Sequence, residues 1–361
     1  MVSQPTVEKV MEALSRVEDP ELHRDLVSLN MVQDVRVEGG RVSLQVNLTT
    51  PACPLRDRIR ADVEAALRAI PGVTEIELRF GAQVRRAQRQ ADGLLPQVKN
   101  VVLVGAGKGG VGKSTVALNL AVALAQEGAS VGLLDADFYG PSVPLMTGVD
   151  GRPVSRDGRT LEPLEAHGLR LMSIGFLVEP DQAMIWRGPM LHSALTQLLR
   201  DVNWGELDYL VLDLPPGTGD VPLSLAQLVK SSGVVLVSTP QDVALADVVK
   251  AKTMFDRVAI PVLGLVENMS SFACPHCQHT TPIFSSGGGR RAAEAMGIPF
   301  LGEIPLDLAV REGGDQGVPV TVAHPDSAVA RAFRKMARNV AGRVSVEAHQ
   351  VRLPVFQAGT R

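Results

Sequence analysis

Two kinds of hydrophobic pattern divide the chain. Over residues 1–82 the apolar positions are spaced rather than clustered. Val7, Val10, Met11, Leu14 and Val17 recur at helical spacing, and Ile59, Val63, Leu67 and Ile70 do so again. Between them Val42, Leu44, Val46 and Leu48 alternate with polar residues, as a half-buried strand does. Glu38-Gly39-Gly40-Arg41 reads as the hairpin turn joining that strand to residues 32–37, and Ile76, Leu78 and Phe80 alternate once more. The pattern predicts a small α+β domain in the order helix, strand, strand, helix, strand. Residues 83–97 are polar, rich in Arg and Gln, and close with Gly93 and Pro96, the composition of a linker with no apolar face to bury.

From residue 98 to residue 345 the apolar residues gather into short unbroken runs, at 101–104, 131–134, 209–212, 234–237 and 262–266, most of them separated by helical-looking segments. Unbroken runs are expected of parallel strands covered by helices on both faces. Val329, Phe333, Met336, Val340 and Val344 fall on one side of a helix over 327–344 that docks on the sheet, and residues 346–361 read as a polar tail. The predicted fold class is α/β, a mainly parallel sheet between helices, preceded by the small α+β domain.

Composition adds exclusions. Aromatic residues at 4% and a net charge of −3 leave neither a stacking surface nor a basic footprint for nucleic acid. No apolar stretch reaches the roughly 18 residues of a membrane span, and the start of the chain lacks a secretory pattern. The expectation is a cytoplasmic protein with no nucleic acid and no membrane among its partners. Three cysteines are an odd set, too few for a disulfide framework at this length. In a reducing cytosol, paired cysteines bind metal or do redox work more often than they staple a fold.

Gly107-Lys108-Gly109-Gly110-Val111-Gly112-Lys113-Ser114 satisfies the phosphate-loop pattern G-x-x-x-x-G-K-S/T, after one apolar run and before a helix-forming run. Glycines let the backbone wrap a phosphate with its N–H groups, at a helix N-terminus that favours anions. Lys113 is expected at the β- and γ-phosphates, the Ser114 hydroxyl on Mg2+, and Thr115 at the α-phosphate. Tyr209-Leu210-Val211-Leu212-Asp213 reads as an apolar strand ending in the carboxylate that holds Mg2+ through water. Pro215-Pro216-Gly217-Thr218-Gly219-Asp220 reads as a segment that senses the γ-phosphate. Asp135 and Asp137 end another apolar run, where an acidic residue is also a plain helix cap.

Cys274-Pro275-His276-Cys277 leaves three readings open. A redox dithiol needs its first cysteine at a helix N-terminus, and the flanking residues are poor helix material. A closed zinc site needs four ligands, to which His276 or His279 would contribute. A four-iron cluster wants four thiolates, which a two-fold axis through the motif would supply.

The second lysine of the loop, Lys108, gives Lys108-Gly109-Gly110-Val111-Gly112-Lys113-Ser114, which resembles the deviant Walker A ATPases. That group includes the nitrogenase iron protein and the septum-site and partition ATPases. The resemblance implies that Lys108 crosses a homodimer interface and acts in trans on the partner's nucleotide, like an arginine finger. It also implies that Asp137 orients or deprotonates water, with Asp135 near Mg2+ or structural, and that Asn268 and Pro305 line the adenine pocket. With Asp135-Ala136-Asp137-Phe138-Tyr139-Gly140-Pro141-Ser142, Trp186-Arg187-Gly188-Pro189-Met190, the Asp213–Asp220 stretch, Glu267-Asn268-Met269 and the cysteine pair, the chain is similar to the Mrp family of ATP-binding iron–sulfur cluster carriers. This covers about residues 98–345. It implies ATP, Mg2+ and a 4Fe–4S cluster bridged by Cys274 and Cys277 across a homodimer, with apo iron–sulfur proteins and cluster scaffold proteins as partners. The extra N-terminal cysteine cluster of longer eukaryotic members is missing, so only the bridging cluster is implied.

A positioning ATPase would need a basic surface or a lipid-binding C-terminal helix, and Pro354 interrupts that tail. An ATP-driven reductase like the nitrogenase iron protein has its cluster cysteines far apart in sequence. Glu18-Asp19-Pro20-Glu21 and Thr49-Thr50-Pro51-Ala52-Cys53-Pro54 resemble the MIP18-like domain that precedes this ATPase in bacterial relatives. Cys53, at a strand-to-helix turn where thiol pKa is often lowered, is either a transient iron contact or a small buried residue.

Overall fold

Thr6 opens the first helix by accepting the Lys9 N–H on its side chain, capping α1 (Val7–Leu14), whose Val10 and Leu14 are buried. The structure, a computed structural model, describes residues 4–87, 93–178 and 188–349 apart from 218, 220, 221, 223, 226, 227, 275 and 278. Trp186, Arg187, Thr218, Asp220, Pro275 and the tail from residue 350 therefore lie outside the described residues. After α1, β1 (Glu18–Asp19) and β2 (Arg24–Asp25) form a short antiparallel bridge that the hydrophobic pattern does not announce. β3 (Val32–Glu38) and β4 (Arg41–Leu48) pair antiparallel, and β5 (Glu75–Ala82) adds parallel to β4 after α2 (Arg56–Arg68). Val42, Leu44, Val46 and Leu48 all point into the core, where Ile59, Val63 and Leu67 of α2 meet them.

The second unit runs β6 (Val98–Ala106), α3 (Lys113–Gln126), β7 (Val131–Asp135), α4 (Val143–Thr147), β8 (Leu164–Ala166), β9 (Leu169–Ser173), α5 (Gly188–Arg200), β10 (Leu207–Asp213) and β11 (Gly233–Ser238). It continues with α6 (Asp242–Arg257), β12 (Val262–Ala273), β13 (Thr280–Thr281), α7 (Gly288–Ala295), β14 (Phe300–Leu306), α8 (Leu308–Gln316), α9 (Val320–Ala323) and α10 (Ala328–His349). The sheet order is β14-β12-β11-β6-β10-β7-β9-β8, with β13 folded back on the end of β12; the pairings are parallel except those of β8 and β13.

The unbroken apolar runs have their cause here. Along β6, Val102 and Val104 enter a core shared with α3 and α10, while Val101 and Leu103 enter one shared with α5 and α6. Both faces of every central strand are covered, so neither set of alternating positions is left for polar residues. Val329, Phe333, Met336, Val340 and Val344 are buried as expected, and α10 continues past Val344 to His349. No helix of the described residues is long and apolar enough to cross a membrane.

The segment expected to be a bare linker is not bare. Val84, Ala87 and Leu95 are buried, Arg85 donates to the Leu29 carbonyl (3.1 Å), and Asn100 Nδ2 donates to the Arg85 carbonyl (3.0 Å). The two units also meet where the Tyr209 hydroxyl donates to Thr50 Oγ1 (2.9 Å) inside the protein. Glu21 packs on α10 at Gly342, where any Cβ would collide with its carboxylate.

Burial, and then the Asp19 charge, push the Glu21 carboxyl up to about 7, with Arg343 pulling the other way. The folded chain thus holds that proton more tightly than the unfolded chain does. The contribution is fully present below the ordinary value of 4.5 and is lost as pH rises through about 7. Because the group is partly solvated, about 1–2 kcal/mol is expected to disappear between these limits. Thermal unfolding followed from pH 5 to pH 8 should show a fall in Tm that Glu21→Gln flattens.

Candidate nucleotide site and cysteine hairpin

The phosphate loop leaves β6 at Ala106 and enters α3 at Lys113. Gly110 and Gly112 take left-handed backbone angles (φ +80° and +79°), which L side chains resist. Gly107 has a different reason: a Cβ there would collide with the backbone carbonyl of Asp247, where α6 passes the loop. Ser114 and Thr115 follow in the first turn of α3, both half-buried.

Because β6, β10 and β7 are sheet neighbours, the chain leaving their C-terminal ends brings two carboxylates to one lysine. Lys113, 6% exposed, places Nζ 2.6 Å from Asp213 Oδ1, 3.2 Å from Ser114 Oγ and 3.7 Å from Asp137 Oδ2. Asp213 is fully buried beside the Ser114 hydroxyl, which helps lower its carboxyl, and keeps its second oxygen without a partner among the described residues. A buried carboxylate oxygen left open beside a hydroxyl is a fitting pair of ligands for a hard cation such as Mg2+. Burial pushes the carboxyls of Asp213 and Asp137 up, and Lys113 opposes it in both cases.

Asp135 is engaged differently. Its oxygens accept the N–H groups of Asp137 (3.1 Å) and Val143 (3.2 Å) and the hydroxyl of Ser173 (3.1 Å). It therefore ties together both ends of the loop that carries Asp137. Burial first, and the neighbouring Asp213 second, raise its carboxyl to about 7. Ser173 carries no motif in the sequence and was not legible there. Asp137, Tyr139 and Gly140 face Pro215, Pro216, Gly219 and Pro222 across a cleft of about 530 Å3. Lys108 is half-buried in the loop and makes no hydrogen bond or ion pair among the described residues.

Asn268 comes to the loop from β12, donating Nδ2 to the Val111 carbonyl at 2.9 Å. Pro305 lies within β14, beside the Ile304 that pairs with Asn268.

The cysteine pair occupies the turn between β12 and β13: Cys274 follows Ala273 directly, its N–H donating to the His279 carbonyl (3.0 Å). The backbone N–H groups of Cys277 and His276, and then the Cys277 side chain, hold the Cys274 thiol below its usual range. Cys277 is exposed and Cys274 half-buried. The turn joins two strands, and none of its described residues starts a helix, where a redox dithiol would have its first cysteine. Among the described residues no group of three or more His, Cys, Asp or Glu gathers to hold a metal. Cys53 stands apart: burial pushes its thiol up to about 11, the reverse of the lowering its turn position suggested.

A strand, glycine loop and helix whose buried lysine converges on strand-end aspartates define a P-loop nucleotide hydrolase. A family model described as NUBPL iron-transfer P-loop NTPase matches residues 97–341, and one described as iron-sulfur cluster assembly protein matches residues 7–78. An iron-sulfur cluster carrier protein of Deinococcus radiodurans is 55% identical over 338 residues, covering 93% of this chain and 95% of that one. A solved nucleotide-binding protein from Archaeoglobus fulgidus, in complex with ADP, is 40% identical with a TM-score of 0.58, over 68% of this chain and 94% of that one. The cell division ATPase MinD of Pyrococcus furiosus shares the fold, at 24% identity and a TM-score of 0.50, over 67% of this chain and 98% of that one. The chain belongs to the family of iron–sulfur cluster carriers built on a P-loop NTPase.

Proposed function

We propose that two copies of this chain hold one 4Fe–4S cluster on four thiolates, Cys274 and Cys277 from each, and pass it to apo iron–sulfur proteins under the control of ATP. The observation that carries the reading is the cysteine turn. Two sulfurs stand at an outward hairpin tip, one of them held toward thiolate by backbone N–H groups. Two thiolates fill half of a four-iron cluster's needs, and a two-fold axis through the tip supplies the rest. Lys108 asks for the same axis, since it sits in the loop with no partner of its own among the described residues.

Within each copy the glycines of the loop cradle the ATP phosphates, Lys113 neutralises the β- and γ-phosphates and Thr115 reaches the α-phosphate. Ser114 and Asp213 hold Mg2+, which when bound offsets charge on the phosphates. Asp137 takes or orients the proton of the attacking water, while Lys108 of each copy stabilises charge on the other's transferring phosphoryl group. Asn268 and Pro305 line the pocket for adenine. The cluster is cargo, taken from a scaffold protein, in the reducing cytosol where thiols stay free.

The test is stoichiometry. Anaerobic reconstitution with ferrous iron and sulfide, followed by native mass measurement, should give two chains, four irons and four sulfides, and the complex should lose its cluster to an apo acceptor. A single chain carrying a whole cluster would overturn the bridge, and a chain that takes up no iron would overturn carriage itself.

A further inference from the structure

β12 connects the two sites directly. Its Glu267 is buried and accepts the N–H groups of Gly287 and Gly289 at the start of α7, which fixes the strand at that point. The next residue, Asn268, is 7% exposed and grips the phosphate loop at the Val111 carbonyl (2.9 Å). Its side-chain nitrogen lies so close to Gly112 that any Cβ there would collide with it. At the far end, Phe272 and Ala273 pair with β13, and Cys274 follows.

Between these fixed points the strand is irregular. Met269 has φ +58°, a left-handed backbone that costs a non-glycine residue about 1–2 kcal/mol and persists only when its surroundings hold it. The register against β14 slips over the same stretch. Asn268 pairs with Ile304, but the next pair is Phe272 with Leu306, so residues 269–271 bulge. Inside the bulge the buried Ser270 donates to the Ile304 carbonyl (3.2 Å).

We infer that this bulge, held by Asn268 at the phosphate loop, is the positioning element through which nucleotide binding moves the cysteine hairpin. The use of that movement, to tighten or release a cluster, rests on the carrier reading above. Phosphates draw the loop's N–H groups inward, and Val111 belongs to the same loop. Its carbonyl takes Asn268 with it, and a strained Met269 next in line passes the displacement on where a relaxed residue would absorb it. Coupling of this kind needs an element with two arrangements that the two sites favour unequally, and that part falls to this bulge.

The test reads the thiols without any cluster. In cluster-free protein the alkylation rate of Cys274 and Cys277 should change by about fivefold or more on adding Mg-ATP. Met269→Gly removes the backbone strain. It should cut that response to within about twofold while nucleotide affinity, measured separately by direct binding, stays within about twofold of wild type. Ser270→Ala, which releases the bulge from Ile304 and leaves the loop untouched, should weaken the response by a second route. A wild type whose thiols ignore nucleotide overturns the inference. So do both variants keeping the full response. Failure of the chain to bind any cluster would sink the carrier reading and leave this measurement standing.

Discussion

Lys113→Ala should lower ATP hydrolysis by at least about a thousandfold, the upper range for losing one preorganised charge-stabilising donor. Its ammonium already sits where the ends of β10 and β7 converge, 2.6 Å from Asp213 and 3.7 Å from Asp137, so an arriving phosphate competes with these carboxylates for one cation. The substitution has a second consequence. Asp213, fully buried, loses the group that opposes the effect of burial on it, and Asp137 loses the same support. Breaking a buried pair from one side costs about 3–5 kcal/mol when the remaining charge stays ionised. The carboxyls in the variant take up protons more readily than before, so the folded state binds them more tightly than the unfolded chain does. The penalty should therefore be small near pH 5 and grow toward pH 8. Phosphate release and Tm measured across that range separate the effects: activity should be lost at every pH, stability mainly at the higher ones. Lys113→Arg keeps the charge but brings a planar fork to a site shaped for a compact ammonium, and should recover stability more than turnover. Wild-type hydrolysis by Lys113→Ala would remove Lys113 from its role.

The features legible in the sequence are those that physics writes as a local pattern. The phosphate loop was legible because glycines at fixed offsets, a lysine and a hydroxyl must be contiguous. Asp213 was legible because an apolar strand covered on both faces can end in a carboxylate only at its tip. Ser173 was not, since a lone buried serine on β9 acquires meaning only when β7 is laid beside it and Asp135 comes within 3.1 Å. Glu267 is a similar case. Its carboxylate caps α7 across about twenty residues of chain, and the motif around it draws the eye to Asn268. Val84, Ala87 and Leu95 have no periodicity to report, so their burial had no signal. Cys53 shows a position misleading on chemistry: the turn suggests an activated thiol, but burial beside Asp19 and Glu21 disfavours the thiolate.

Cys274→Ser and Cys277→Ser, made together, should reduce retained iron and sulfide by at least about tenfold, because no thiolate remains at the hairpin to hold the cluster. The homodimeric variant alone does not separate a bridged cluster from a metal held within each chain, since both lose their ligands. A mixed dimer does. With different affinity tags on wild type and double variant, dimers carrying one of each can be isolated and reconstituted. A site built inside one chain from the cysteine pair with His276 or His279 would leave such a dimer with about half the wild-type metal, as each chain binds for itself. A cluster on the two-fold axis would see two thiolates where it needs four, and the mixed dimer should hold as little as the double variant does. Nucleotide binding supplies the internal control, because the phosphate loop is intact in every chain. Mixed dimers that bind nucleotide normally, yet hold half the wild-type iron, would place the metal in single chains and remove the bridge.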